Sequence, residues 1–103
     1  MSRSKVKITV LKRQDPKEIF DEYPVTEMDW FVPCALFEDG QEFILKEELA
    51  MPEKFCTSAW QTIYPNIRVL GFGGNMPWFK EEGVAISCCS DGMRPVIFKL
   101  ERI

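Results

Sequence analysis

Residues 83–102 read GVAISCCSDGMRPVIFKLER, and this stretch decides the fold. Two runs rich in apolar residues, 83–90 and 94–102, flank the dipeptide Asp91-Gly92. Because Asp-Gly between two such runs is a strong hairpin signal, the stretch predicts two antiparallel strands joined by a tight turn. Alternation along the second run indicates that this strand buries one of its faces.

Two further strands are predicted nearer the N-terminus. Residues 5–13 alternate apolar with polar side chains, and residues 41–46 follow the turn at residues 38–40. Such alternation is typical of a strand with one buried face. Residues 25–37 are dense in apolar side chains but are broken by Pro33, which indicates a buried loop or an irregular edge strand.

Two helices are expected between these strands. The first begins at Asp15, whose spacing to Glu18 fits a capping box, and it ends at Pro24. Together these elements predict an α+β domain. Its small antiparallel sheet is either open or curled towards a barrel, and two helices pack on it.

The second and longer helix is predicted over residues 58–70, where apolar side chains recur at helical intervals. Ser58 and Gln61 have the spacing of a capping box at its start. Pro65 lies inside this range, and an interior proline costs about 3 kcal/mol. We therefore expect a kink at Pro65 or a division into two short helices.

The composition is that of one folded domain over residues 1–103, with 46% hydrophobic residues and a net charge of −3. An acidic chain disfavours nucleic acid as a partner. No apolar run approaches the roughly 18 residues that span a bilayer, and none has the form of a signal peptide. We therefore expect a cytoplasmic protein with reduced thiols, whose partners include neither nucleic acid nor membrane. Association with further copies of itself is left open.

The chain contains four cysteines and no histidine, which narrows the chemistry open to it. Histidine is the commonest general base, so Ser-His and Cys-His pairs are excluded. At the tip of the predicted hairpin, Cys89 lies two residues before Asp91 and five before Arg94. An adjacent arginine favours the thiolate form of a cysteine and also clamps carboxylates with two hydrogen bonds. The first hypothesis is therefore a small-ligand pocket or a small thiol-dependent enzyme. In it, Cys89, Asp91 and Arg94 are the catalytic residues and Arg94 anchors an anionic group.

This hypothesis also needs pocket walls and a second proton carrier. Trp60 and Trp78, with Trp30, are candidates for the walls, and Lys99 is a candidate ligand contact and proton acceptor. A second thiol, Cys34 or Cys56, would face Cys89. Two facing thiols can move a proton on and off a carbon acid.

Two alternatives compete with a ligand pocket. In the first, four thiolates bind Zn²⁺ or an iron–sulfur cluster. The spacings of 22, 32 and one residue contain no Cys-x-x-Cys pair, and adjacent strand residues point to opposite faces. In the second alternative, the cysteines are small buried hydrophobes of a structural or interaction module that performs no chemistry. The cysteines concerned are Cys34, Cys56, Cys88 and Cys89.

Five segments carry a resemblance to other proteins, namely residues 5–10, 33–37, 55–60, 73–78 and 88–99. Together they resemble an uncharacterised family of small four-cysteine proteins of about this length, seen mainly in anaerobic bacteria and archaea. The resemblance covers nearly the whole chain, and its last segment is the most specific. It implies reduced thiols and oxygen-sensitive metal chemistry, but no established activity. Thr57-Ser58 departs from the more acidic dipeptide of the family, so no carboxylate role transfers to that position.

Overall fold

The computed structural model describes residues 3–103 and contains an open antiparallel sheet of four strands. The strand order β2-β1-β4-β3 leaves β2 and β3 at the two edges. The predicted α+β class is therefore confirmed, whereas curling towards a barrel is wrong. The strands are β1 (Val6–Arg13), β2 (Glu42–Leu45), β3 (Val84–Cys88) and β4 (Val96–Arg102).

One face of the sheet carries the core. The alternation predicted for β1 and β4 is confirmed, because Ile8 and Phe98 are both completely buried on this face. The register of β1 against β4 shifts by one residue between Val10 and Lys12, so the intervening Leu11 is not paired with β4. Leu11 is 44% exposed, as expected for the extra residue of a bulge.

The hairpin of β3 and β4 is confirmed, but its turn is wider than predicted. Regular pairing ends at Cys88 opposite Ile97, and the Cys89 N–H still donates to the Val96 carbonyl at 3.0 Å. Residues 90–95 therefore form a six-residue loop. Asp91-Gly92 does not form the expected two-residue turn, because the Asp91 side chain accepts hydrogen bonds from N–H groups of the same loop and stabilises the wider loop.

Residues 3–103 contain one α-helix and not two. The capping box of Asp15 and Glu18 is present, but it starts only a single 3₁₀ turn, Pro16–Glu18. Ile19, directly after this turn, is 39% exposed. A short helix needs an apolar face packed against the rest of the protein, and this segment has too little of one.

The long helix, α1 (Thr57–Gly71), packs on the sheet through Ala59, Ile63 and Ile67. Its N-cap residue is Cys56, and no side chain in the described part of the protein caps it, so the capping box predicted from Ser58 is wrong. The helix also runs unbroken through Pro65, which is exposed. Proline at this position removes one backbone hydrogen bond on the solvent side, where water can replace it.

Replacing Pro65 with alanine is expected to stabilise the protein by about 1–2 kcal/mol. The gain is smaller than the roughly 3 kcal/mol propensity difference because proline also restricts the unfolded chain. Urea unfolding of both proteins would measure the change. Equal or lower stability of the variant would show that the helix has adapted fully to its proline.

The segment over residues 25–37, which the structure describes throughout, has no regular secondary structure. The prediction was a buried loop or an irregular edge strand, yet residues 25–37 form no strand, and Trp30 and Leu36 are 68% and 66% exposed. Phe37 is the exception, since its ring packs edge-on against Phe98 with the centroids 5.2 Å apart. The segment is therefore attached to the core at its C-terminal end.

Within residues 3–103, no helix has the length and apolar character needed to cross a membrane.

Candidate functional site

A cavity of about 270 Å³ lies where the β3–β4 loop, the start of α1 and the end of the 25–37 segment meet. Core side chains, Phe37 and Val96 among them, form part of its wall. Its polar and titratable wall is formed by Cys34, Cys56, Ser58, Cys89, Ser90, Asp91 and Arg94. The three predicted catalytic residues, Cys89, Asp91 and Arg94, therefore do share one site.

The cavity brings together three of the four thiols from three separate parts of the chain. Cys34 comes from the irregular segment, Cys56 precedes α1, and Cys89 follows β3. All are partly buried and none is in a disulfide. Cys88 is exposed instead, because adjacent residues at the end of a strand point to opposite faces.

Backbone contacts fix the position of Cys89. Its N–H donates to the Val96 carbonyl, and the Val96 N–H donates to Cys89 Sγ over 3.3 Å. These two contacts continue the pairing of β3 and β4 by one residue beyond the regular ladder. The thiol is therefore held against the hairpin and faces the cavity with little freedom.

Asp91 organises the loop and holds Arg94 in place. Oδ1 of Asp91 accepts the N–H groups of Met93 and Arg94, at 3.0 and 3.3 Å, and Oδ2 accepts Arg94 Nε at 3.0 Å. Partial burial acts to raise the pKa of Asp91, but the hydrogen bonds from Arg94 and Met93 outweigh it and place this pKa below the ordinary value. Asp91 is therefore a carboxylate at neutral pH and acts as a positioning residue.

The guanidinium of Arg94 is held from two further sides. Nη1 donates to the Val32 carbonyl at 2.8 Å, and the group lies over the Phe31 ring, 4.5 Å from its centroid. Of the five N–H donors of an arginine, one bonds Asp91 and one bonds the Val32 carbonyl. The other three have no acceptor within residues 3–103. Arg94 thus lines the cavity with hydrogen-bond capacity to spare.

The start of α1 adds backbone donors to the same wall. The N–H groups of Thr57, Ser58 and Ala59 lie in the first turn, where a helix provides no internal acceptor, and none has another within residues 3–103. The first turn contains no acidic residue. Ser58 and Ala59 line the cavity, so this end of the helix dipole favours negative charge there.

Three residues predicted to bind ligand lie away from the cavity. Trp60 packs between Phe55 and Tyr64, with ring centroids 5.8 and 5.2 Å away. Trp78 is 73% exposed. Lys99 pairs with Glu101 at 3.6 Å on the opposite face of the sheet from the core. None of Trp60, Trp78 and Lys99 lines the cavity, so their ligand-binding assignments stay predictions that this cavity does not support.

The four-cysteine metal hypothesis lacks a common centre. Throughout residues 3–103, no group of three or more cysteine and acidic side chains is arranged to hold a metal ion. Cys88 is directed away from the other three thiols, as described above. The geometry therefore gives no support to a Zn²⁺ or iron–sulfur site built from Cys34, Cys56, Cys88 and Cys89.

Replacing Asp91 with asparagine removes the carboxylate, and its contribution to stability is tested by measuring the free energy of unfolding of both proteins as a function of pH. Because folding lowers the pKa of Asp91, its stabilising contribution is present above the ordinary value near 4 and is lost as the pH falls through the folded-state value. The side chain is 40% exposed, so we expect a difference of under about 1 kcal/mol at pH 7. Urea unfolding from pH 7 to about pH 2 should show the two proteins converging below about pH 4. A constant difference would contradict the assignment.

No protein-family model, curated protein or solved structure matches this chain. The protein is therefore described by its fold and its cavity: it is an α+β domain with a cavity lined by three thiols. Sequence reasoning missed Ser58, Phe31 and Val32 as parts of the site. The apolar stretch before Cys34 was a signal for the last two, but its packing on Arg94 depends on residues 62 positions apart.

Proposed function

We propose that this cavity binds a small anionic ligand, that Arg94 anchors the negative group, and that Cys89 supplies the thiol for chemistry on it. The single observation that carries the proposal is the convergence of three thiols and the Arg94 guanidinium on one cavity. Only Cys89 and Arg94 are close in sequence, so this convergence is a product of the fold.

The electrostatics of the wall support an anion. Asp91 and Arg94 form an ion pair at 3.0 Å, which leaves their summed charge near zero. The excess of donors comes from the unused guanidinium N–H groups and the first turn of α1. A carboxylate or phosphate oxygen accepts from both kinds of donor, and charge-assisted hydrogen bonds are roughly twice as strong as neutral ones.

The size of the cavity sets the ligand class. Typical small-molecule pockets measure about 300–1,000 Å³, and this cavity, at about 270 Å³, falls just below that range. A carboxylate of a few carbons or a single phosphate group fits such a volume. We also propose a cytoplasmic setting, because the chemistry requires reduced thiols and none of the four is in a disulfide. Membership of the four-cysteine family is likewise a proposal, and it rests on the five sequence segments.

Protection from alkylation tests the proposal within one molecule. The native protein would be treated with iodoacetamide in the presence and absence of phosphate, sulfate or pyruvate, and the modified cysteines identified by peptide fragmentation. At about ten times the dissociation constant, a bound anion should slow modification of Cys89 and Cys56 about tenfold, because roughly a tenth of the sites remain empty. Cys88 is the matched control, since it is adjacent in sequence but does not line the cavity.

The outcome separates the proposal from a purely structural role for the thiols. Protection of Cys89 and Cys56 with Cys88 unaffected supports a ligand site in the cavity. If each cysteine is modified at the same rate with and without every anion, the proposal is contradicted.

A second candidate, an interaction module, is favoured by one observation. Val25, Met28 and Trp30 are 55%, 64% and 68% exposed in an irregular segment that also exposes Leu36. Apolar side chains clustered on a surface often mark protein contacts. Sedimentation measurements should then show self-association that Trp30→Ser weakens, and a strictly monomeric protein would count against this function.

A further inference from the structure

We infer that the cavity transfers protons at a carbon acid, a small 2-oxocarboxylate, with Cys89 as the base and Cys56 as the opposing acid. The inference rests on the anion site proposed above and names its substrate class and chemistry. It depends on which groups around the cavity can gain and lose a proton, and on where those groups lie.

Elimination leaves the thiols as the proton carriers. The titratable side chains of the wall are the three cysteines, Asp91 and Arg94. Arginine does not deprotonate in proteins. Both oxygens of Asp91 already accept hydrogen bonds, and the resulting low pKa makes this carboxylate a weak base. A cysteine can be either thiol or thiolate near neutral pH, so it can both accept and return a proton.

The positions of the thiols assign the two roles. Cys89 is fixed against β4 by the Val96 N–H, whereas Cys56 lies at the N-cap of α1 and its side chain makes no capping bond. These residues belong to different elements that line the same cavity. A ligand anchored by its carboxylate at Arg94 therefore shares the cavity with a thiol of the hairpin and a thiol at the start of the helix.

The chemistry balances without any oxidant or cofactor. The Cys89 thiolate takes a proton from the carbon next to the keto group, so a C–H bond breaks and an S–H bond forms. The electron pair of that C–H bond moves to the keto oxygen and gives an enolate. The first turn of α1, from which Ser58 lines the cavity, is the positive end of the helix dipole and stabilises this developing charge. Cys56 then returns its own proton to the carbon and is left as the thiolate, and exchange with solvent restores both sulfurs.

Hydrogen exchange in ²H₂O tests this directly. Pyruvate and 2-oxobutyrate would be incubated with the protein, and loss of the proton signals next to the keto group would be followed by NMR. General acid–base groups contribute about 10²–10⁴-fold, so the protein should accelerate exchange at least about 100-fold over buffer. Cys89→Ser should return the rate to that of buffer, because the base is lost. Cys56→Ser should lower the rate, because deuterium then returns to the carbon only after the Cys89 thiol has exchanged with solvent. Cys88→Ser should leave the rate unchanged.

Two failures are distinguishable. If pyruvate protects Cys89 from alkylation but no exchange occurs, the anion site stands and the proton-transfer inference is overturned. If pyruvate neither protects Cys89 nor exchanges, the proposed function fails as well. Loss of exchange in Cys34→Ser but not in Cys56→Ser would overturn the assignment of the acid. Circular dichroism of each serine variant establishes that it is folded, and a folded, inactive Cys88→Ser would contradict the inference.

Discussion

Replacing Arg94 with alanine is expected to weaken binding of pyruvate or phosphate about 100-fold without unfolding the protein. The variant loses the guanidinium N–H groups that have no acceptor within residues 3–103. Hydrogen bonds to charged groups contribute about 1.5–3 kcal/mol, and a 100-fold loss corresponds to about 2.7 kcal/mol. The fold should survive, because the side-chain hydrogen bonds and ring contact of Arg94 within residues 3–103 go to loop groups, namely Asp91, Val32 and the Phe31 ring.

Calorimetric titration would measure the affinity, and two further variants sharpen the result. Arg68→Ala is the matched control, since Arg68 also stacks on an aromatic ring, Phe72 at 4.9 Å, but does not line the cavity. Arg94→Lys keeps the charge and loses the planar pair of donors, so it should bind with intermediate affinity. Equal affinities of Arg94→Ala and Arg68→Ala would refute the anchoring role.

Replacing Phe98 with alanine is expected to destabilise the protein by about 3–5 kcal/mol. Phe98 is completely buried in the central strand β4, and its ring centroid lies 5.2 Å from that of Phe37 and 5.8 Å from that of Phe55. Removing the ring leaves a hole between both neighbours, which cannot close without moving the sheet. The loss would be a large part of the 5–15 kcal/mol by which most domains are stable.

Urea unfolding measures this loss, with Ile44→Ala as the control. Ile44 lies in β2 and is 55% exposed, so its truncation should cost under about 0.5 kcal/mol. Because Phe37 both packs on Phe98 and lines the cavity, Phe98→Ala should also weaken anion binding. A loss of less than about 1 kcal/mol would show that Phe98 is not central to the core.

The strands could be predicted because their signal is local. A period of two in residues 5–13 and 94–102 is visible without knowledge of any partner, and β1 and β4 follow it. The helix after Asp15 was predicted on equally local signals and failed. Its capping box exists, but Ile19 is 39% exposed and Phe20 is only half-buried, so little of its apolar surface is packed. Capping fixes where a helix starts, whereas packing decides whether it continues.

Only the local part of the site was accessible to sequence reasoning. Cys89, Asp91 and Arg94 lie within six residues of each other, so a hairpin brings them together. The position of Cys34 depends on long-range contacts. Arg13 Nη1, 21 residues away in sequence, donates to the Cys34 carbonyl at 3.1 Å, and Phe37, three residues after Cys34, packs on Phe98 of the core. The prediction that tryptophans form the pocket walls also depended on contacts that the sequence does not show. Composition shows that Trp60 and Trp78 are large and apolar, but not which surface they contact.

The most direct test of the cavity as an anion site is an NMR titration of ¹⁵N-labelled protein with pyruvate. We expect saturable shifts of backbone amides concentrated in three places, at Cys34, over residues 56–59 and over residues 89–94, which surround the cavity. Arg94→Ala should abolish these shifts. Shifts confined to the basic strand over residues 5–13, or none that saturate, would contradict the account.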